Sequence, residues 1–222
     1  MTRHADNGLF VTFEGSEGCG KSTQIAMLVE WLTAAGREPL LVREPGGTAV
    51  GEVIRHLLQH APEGERILPE AELLLFAASR AQLVREIILP ALQAGRIVIS
   101  DRFLDSTTVY QGVARAIPPA QVGEINRFAV GDCLPDLTFV MDMDEQAAMR
   151  RLRENRKGPA DRMESQPMDF YRAVRNGYLQ LAADEPARIR VLNAEAPRDS
   201  IAMEIRAHLT STRHALLEGI RI

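Results

Sequence analysis

The eight residues from Gly15 to Ser22 read Gly-Ser-Glu-Gly-Cys-Gly-Lys-Ser, and they constrain the fold more than any other stretch. They match G-x-x-x-x-G-K-[ST], a loop that wraps phosphate groups. Glycine lets the backbone turn where a side chain forbids it, so successive N–H groups can close on phosphate oxygens. Lys21 adds a positive charge toward the outer phosphates, and the hydroxyl of Ser22 suits Mg²⁺. Such a loop works only between a strand and a helix whose positive end faces the anion. Both flanks are present. Leu9-Phe10-Val11-Thr12-Phe13 is β-rich, and apolar residues recur at helical spacing from Ile25 to Leu32. Gly15, Ser16, Glu17, Gly18, Cys19, Gly20, Lys21, Ser22 and Thr23 are therefore the candidate nucleotide-binding residues.

The rest of the chain repeats this strand–helix alternation. Short buried strands are expected at 39–43, 96–100, 137–142 and 189–193, in addition to 9–13. Helices are expected at 21–35, around Val50–Leu58, at 69–94, from Ser106 to Gln111, and at 121–130, 145–153, 170–183 and 200–217. Alternation of this kind gives a parallel sheet with helices on both faces. Ligands then gather beyond the C-terminal strand ends, where Glu14, Glu44, Arg102 and Asp142 fall. At 222 residues the chain is expected to form one domain, with residues 1–8 as a flexible tail and 154–167 as a mobile lid.

Composition narrows the function classes. With 26 basic and 30 acidic residues the net charge is −4, which argues against a general nucleic-acid binder. No run has the length of a membrane span and no apolar leader core is visible. Cys19 and Cys133 are too far apart for a metal-ligand pair and read as reduced thiols of a cytoplasmic protein.

Four further groupings carry candidate chemistry. Asp101-Arg102 ends a buried strand, where an acid can hold Mg²⁺ through water and an arginine can grip a phosphate. Phe76 and Arg80 stand four apart on one helix, although pattern alone favours Phe76 as core. Arg150, Arg151, Arg153, Arg156, Lys157 and Arg162 surround the polar stretch, as either a phosphate-closing lid or a solvated face. Glu44-Pro45-Gly46-Gly47-Thr48 reads by itself as a strand-to-helix turn.

Taken together these stretches resemble the thymidylate kinase family of the bacterial kind. The matching pieces are Phe13-Glu14-Gly15, Arg43 to Thr48, Phe76 to Arg80, Asp101-Arg102-Phe103 with Asp105-Ser106, Tyr110-Gln111-Gly112, and Asp161-Arg162. The resemblance spans residues 9 to 195. It implies a P-loop nucleoside monophosphate kinase fold and transfer of phosphate from MgATP to dTMP, in a cytosolic homodimer. It implies that Phe76 stacks on thymine, that Arg80 and Arg102 hold the acceptor phosphate, and that Tyr110 lies under the sugar. Glu44, Pro45, Ser106 and Gln111 would line the same pocket, with Mg²⁺ at Ser22 and Asp101. Cys19 and Phe103 depart from the residues common there. Glu17 stands where some relatives carry a loop arginine, so Arg153 or Arg156 is expected to supply the catalytic cation beside Lys21 and Arg102. Two rivals remain. One is a monophosphate kinase with another base preference. The other is a regulatory ATPase without acceptor, although the guanine-reading Asn-Lys-x-Asp is absent.

Overall fold

The computed structural model describes residues 8–60, 66–155, 162, 166–212 and 214–220. Five strands, β1 (Leu9–Glu14), β2 (Leu40–Arg43), β3 (Ile97–Asp101), β4 (Leu137–Asp142) and β5 (Ile189–Asn193), form one sheet in the order β2-β3-β1-β4-β5. Every pair is parallel. From β1 the chain crosses to the edge strand β2, returns to β3 between them, then passes β1 to β4 and β5, so the winding changes side at β1. A crevice opens there beyond the strand ends.

Helices cover both faces. They are α1 (Lys21–Ala34), α2 (Ala49–Gln59), α3 (Pro69–Leu83), α4 (Leu89–Gln93), α5 (Leu104–Thr107), α6 (Pro119–Val130), α7 (Glu145–Asn155), α8 (Met168–Asp184) and α9 (Arg198–Ser211). Strand β1 is buried on both sides, which explains its unbroken apolar run. Leu9, Val11 and Phe13 pack with Ile25 and Leu28 of α1 and Ile201 and Ile205 of α9. Phe10 faces the opposite way, among Val84, Ile88, Val98 and Phe103. Thr12 shares that second face. Its hydroxyl meets that of Thr138 at 2.7 Å, and Arg188 bonds Thr138 at 2.8 Å and Asp105 at 2.6 and 2.9 Å. Each polar group in this buried chain has a partner, as burial requires.

Several expected boundaries shift for identifiable reasons. The helix expected over 69–94 widens to a π-helical turn at Val84–Ile88, where Leu89 N–H bonds the carbonyl of Val84 five residues back. Pro90 follows, and its ring crowds the carbonyl four residues earlier, which the wider turn relieves. A second π-helical stretch, Thr108–Ala114, continues α5 and carries Tyr110 and Gln111. The closing helix stops at Ser211 rather than Leu217, with a separate short turn at Ala215–Leu217. Thr210, Ser211 and Thr212 all bond backbone carbonyls three or four residues back with their hydroxyls, competing with the helix ladder. Gly8, counted with the tail in the sequence, is buried, and His214 Nε2 lies 3.0 Å from its carbonyl. Residues 1–7, most of the expected lid and Arg156 lie outside the described residues.

Candidate active site

The phosphate loop lies between β1 and α1. Gly20 caps α1 in a left-handed conformation that leaves the helix's first N–H groups open. Gly18 has φ +77°, and a Cβ there would collide with the carbonyl of Ala148 on α7. The loop can therefore seat against α7 only with glycine at this position. Lys21 is buried and folds back on its own loop, donating to the carbonyls of Gly15 at 3.1 Å and Ser16 at 2.8 Å. Ser22 Oγ lies 3.5 Å from Asp101 Oδ2, across the gap between α1 and β3.

Beside the loop is a cleft of about 350 Å³. Among the expected site residues, Glu17, Gly18, Lys21, Ser22, Glu44, Pro45, Phe76, Asp101, Arg102, Ser106, Tyr110 and Gln111 line it. Phe76 is half-buried on the cleft wall rather than sealed in the core. A larger groove, about 1050 Å³, runs between α1 and β2 and shares only Ser22, Arg43 and Asp101 with the cleft. Its walls are chiefly aliphatic, so the smaller cleft holds the chemistry.

Arg102 stands at the centre. Its backbone has φ +70°, uncommon for a residue with a side chain, and such strain concentrates at functional positions. Nη2 pairs with Glu17 Oε1 of the phosphate loop at 2.7 Å and lies 3.3 Å from the Tyr110 hydroxyl. Nη1 donates to Ser106 Oγ at 3.1 Å and to the Tyr178 hydroxyl at 3.4 Å. The guanidinium also lies over the Tyr110 ring, 5.1 Å from its centroid. Tyr110 in turn donates to Glu17 Oε2 at 3.0 Å.

Two buried carboxylates support the cleft: Glu14, which the sequence placed at the crevice without giving it a role, and Glu72, which it did not single out. Glu14 ends β1 and is fully enclosed. It accepts from Phe103 N–H at 2.7 Å, Ser106 Oγ at 2.6 Å and the Tyr178 hydroxyl at 2.9 Å. Burial lifts its carboxyl to about 7, with Asp105 adding to the rise and Arg102, Ser106 and Tyr178 opposing it. Glu72 on α3 accepts from Gln111 at 2.8 Å, Arg115 at 3.3 Å and Arg162 at 2.5 Å. Burial raises Glu72, but Gln111 and the two arginines outweigh it and hold the carboxyl below its usual range. A Glu directly before the apolar run Leu73-Leu74-Leu75-Phe76 was the available signal.

Two arginines of the expected groupings make contacts that the sequence did not suggest. Arg80 does not line the cleft. It is 1% exposed and reaches beneath the wall, donating to Glu44 at 2.8 Å, Asn126 at 3.0 Å and the Phe103 carbonyl at 3.2 Å. Its charge is matched by Glu44 beneath the wall, whereas the guanidinium of Arg102 lines the cleft itself. Arg162 bonds Glu72 and the Leu58 carbonyl. Arg153 is exposed on the last turn of α7, one residue beyond Leu152, which touches the cleft. The Glu44–Thr48 stretch is more than a plain turn. Gly46 N–H bonds Ser79, Gly47 N–H bonds Glu52, and Thr48 caps α2 through Gly51 N–H.

The chain is similar over most of its length to known proteins. Residues 13–205 match the family model for thymidylate kinase. The thymidylate kinase of Clavibacter sepedonicus is 45% identical over 200 residues, covering 90% of this chain and 93% of that one. That of Pelotomaculum thermopropionicum is 42% identical over 212 residues, covering 96% and 97%. Among solved structures, the thymidylate kinase of Ehrlichia chaffeensis matches with a TM-score of 0.73 at 33% identity, over 91% of this chain and 99% of that chain.

Proposed function

The chain belongs to the thymidylate kinase family and is a dTMP kinase, and from that premise we propose how its side chains move a phosphoryl group from ATP to dTMP. The triphosphate of ATP occupies the loop from Gly15 to Thr23, with Lys21 turning from its loop carbonyls toward the outer phosphates. Thymidylate occupies the neighbouring cleft. Its base stacks on Phe76, its sugar lies against Tyr110, and its phosphate rests on Arg102. Glu44, Pro45, Ser106 and Gln111 complete the walls. The observation that carries this reading is the 2.7 Å pairing of Arg102 with Glu17. It supports an acceptor phosphate seated directly beside the donor loop, the juxtaposition that in-line transfer requires.

Ser22 and Asp101 offer hard oxygen donors at the loop mouth, which suit Mg²⁺ completed by phosphate oxygens and water. Bound there, the ion would neutralise charge on the phosphates. The protein's own work is alignment and charge compensation. No general base is required, because the acceptor's phosphate oxygen is already an anion near neutral pH. Lys21 and Arg102 compensate charge from below, and Arg153 or Arg156 does so from the α7 side. We assign the enzyme to the cytoplasm, which suits two unpaired cysteines. No helix among the described residues is long and apolar enough to cross a membrane. We assign it a homodimeric state, supported by the exposed Val50, Val53 and Leu57 along α2.

The test is an acceptor screen. ADP release from ATP is followed with each nucleoside monophosphate in turn and with water alone. dTMP should support the fastest turnover. Faster turnover with another monophosphate, or turnover indifferent to acceptor, overturns the reading.

A further inference from the structure

Beneath Arg102 lies a hydrogen-bonded cluster whose protons can be counted. Glu14 Oε2 lies 2.6 Å from Ser106 Oγ and 2.9 Å from the Tyr178 hydroxyl, and these two hydroxyls are 2.9 Å apart. Arg102 Nη1 donates to both hydroxyls from above. Each hydroxyl owns one proton. When Glu14 is a carboxylate it can only accept, so the arrangement that satisfies it best turns both protons down to it and leaves the lone pairs of both oxygens for Arg102. Positive guanidinium, two aligned hydroxyl dipoles and negative carboxylate then form one continuous chain in a dry setting, where such chains are strengthened. A proton on Glu14 breaks the alignment. It turns one hydroxyl proton away from the carboxyl and removes the counter-charge on that side of Arg102.

We propose that Glu14 is a positioning residue for acceptor binding, its carboxylate orienting Arg102 through the hydroxyls of Ser106 and Tyr178, so that affinity for dTMP depends on Glu14 being ionised. This rests on the reading of Arg102 as the acceptor-phosphate ligand. The charged and titratable surroundings all bear on it. Asp105 of α5 is paired with Arg188 at 2.6 Å, Glu17 and Tyr110 hold the far side of Arg102, and Tyr178 comes from α8. Burial and Glu14 itself keep the Tyr178 hydroxyl protonated far above neutral pH. The raised ionisation range of Glu14 puts the switch inside the working pH range.

Steady-state constants for both substrates, measured from pH 6 to 8.5, test this with Glu14→Gln, Tyr178→Phe, Arg102→Ala and the double variant. A glutamine at 14 brings an N–H group against Ser106 and Tyr178 and turns their protons toward Arg102. KM for dTMP should rise by about tenfold at pH 8, the scale of a lost charged hydrogen bond, while KM for ATP stays within about twofold. The acceptor's own phosphate titrates near pH ~6, but it is common to every variant and cancels in ratios. The wild-type advantage over Glu14→Gln in kcat/KM for dTMP should therefore grow as pH rises from 6 to 8. A flat ratio overturns the proposal. Should Glu14→Gln not fold, Tyr178→Phe carries the test. It should raise KM for dTMP severalfold alone and add nothing in the Arg102→Ala background. If Arg102→Ala leaves KM for dTMP unchanged, the reading of Arg102 fails. If Arg102→Ala raises it and Tyr178→Phe adds its full effect on top, only the role of Glu14 fails.

Discussion

Tyr110 does two things with one side chain. Its hydroxyl sits between Glu17 and Arg102, and its ring packs edge-on against Phe170 while facing the guanidinium. The two can be separated by substitution. Tyr110→Phe keeps the ring and should keep discrimination between dTMP and 5-methyl-UMP within about threefold. Tyr110→Ala opens space for a 2′-hydroxyl, whose unpaired burial costs roughly 1–3 kcal/mol, and should relax discrimination by about tenfold or more. Equal losses on both acceptors in Tyr110→Ala, with a lower Tm, would make the residue structural only. Lys21→Ala should cut kcat by about 10²-fold or more, since a charge aimed at the transferring group is lost. Its Tm should fall little, because Gly15 and Ser16 lose only bonds to a side chain. Glu14 gives a stability prediction with a definite sign. Its carboxyl ionises near 7 when folded against 4.5 in its ordinary state, so its contribution to stability is greatest below about 4.5 and is lost as pH rises through 7. The Tm of Glu14→Gln relative to wild type should therefore be higher at pH 8 than at pH 6. At this scale the sequence was legible for position: Lys21 and Tyr110 line the cleft to which the motif and the family resemblance assigned them, and Phe76 does so although its pattern alone favoured the core. It was opaque for Arg80, because four-residue spacing fixes which side of a helix carries a side chain but not how far a flexible arginine reaches.

Elements were easier to read than their irregularities. All five strands were visible as short apolar runs; β1, β3 and β4 are buried on both faces and so carry little polar alternation, while the edge strands β2 and β5 are only partly buried. The π-helical turns were not visible, since one widened turn leaves no mark on apolar spacing, yet the second of them aims Tyr110 into the cleft. The contact between α7 and the phosphate loop was equally hidden. It depends on Gly18, which the motif alone explains through phosphate. The structure adds that a Cβ would strike Ala148. Gly18→Ala should therefore displace α7 from the loop and lose activity even where ATP still binds. Left-handed backbone at a non-glycine residue costs a further ~1–2 kcal/mol, readable as a lower Tm. Nucleotide affinity retained with full turnover would contradict this. The same contact sets α7 beside the phosphate loop. Arg153 is carried one residue past Leu152, at the cleft's edge. Arg153→Ala should lower kcat about tenfold with little change in dTMP affinity, as for an interaction made late. A change confined to KM would remove it from the transfer step.

At the scale of the whole molecule, the fold divides labour between the two sides of β1. The loop proposed to hold the donor lies between β1 and α1, and the cleft proposed for the acceptor is lined largely by α2, α3 and the segment after β3. The fold class was legible because strand–helix alternation admits few arrangements. The surface that the second group of helices presents outward was not, since an exposed apolar residue and a core residue look alike in sequence. Val50 and Val53 on α2, Leu74 on α3 and Phe128 on α6 are all exposed, Val53 by 72% and Phe128 by 82%. α2 packs on α3 and α3 on α6, so these residues lie on consecutive neighbours. A two-fold dimer through such a face meets its own copy, and each substitution then acts twice. Val53→Glu should convert the proposed dimer to monomer at micromolar concentration, read by light scattering or sedimentation. In the isolated chain it should cost under about 0.5 kcal/mol, because the side chain is already in water. Arg55 and Leu58 reach the cleft from α2, and Phe76 reaches it from α3. Loss of the partner should therefore loosen the acceptor side and raise KM for dTMP more than KM for ATP. A wild-type enzyme that is monomeric at these concentrations, or a Val53→Glu variant that remains dimeric, would move the interface elsewhere.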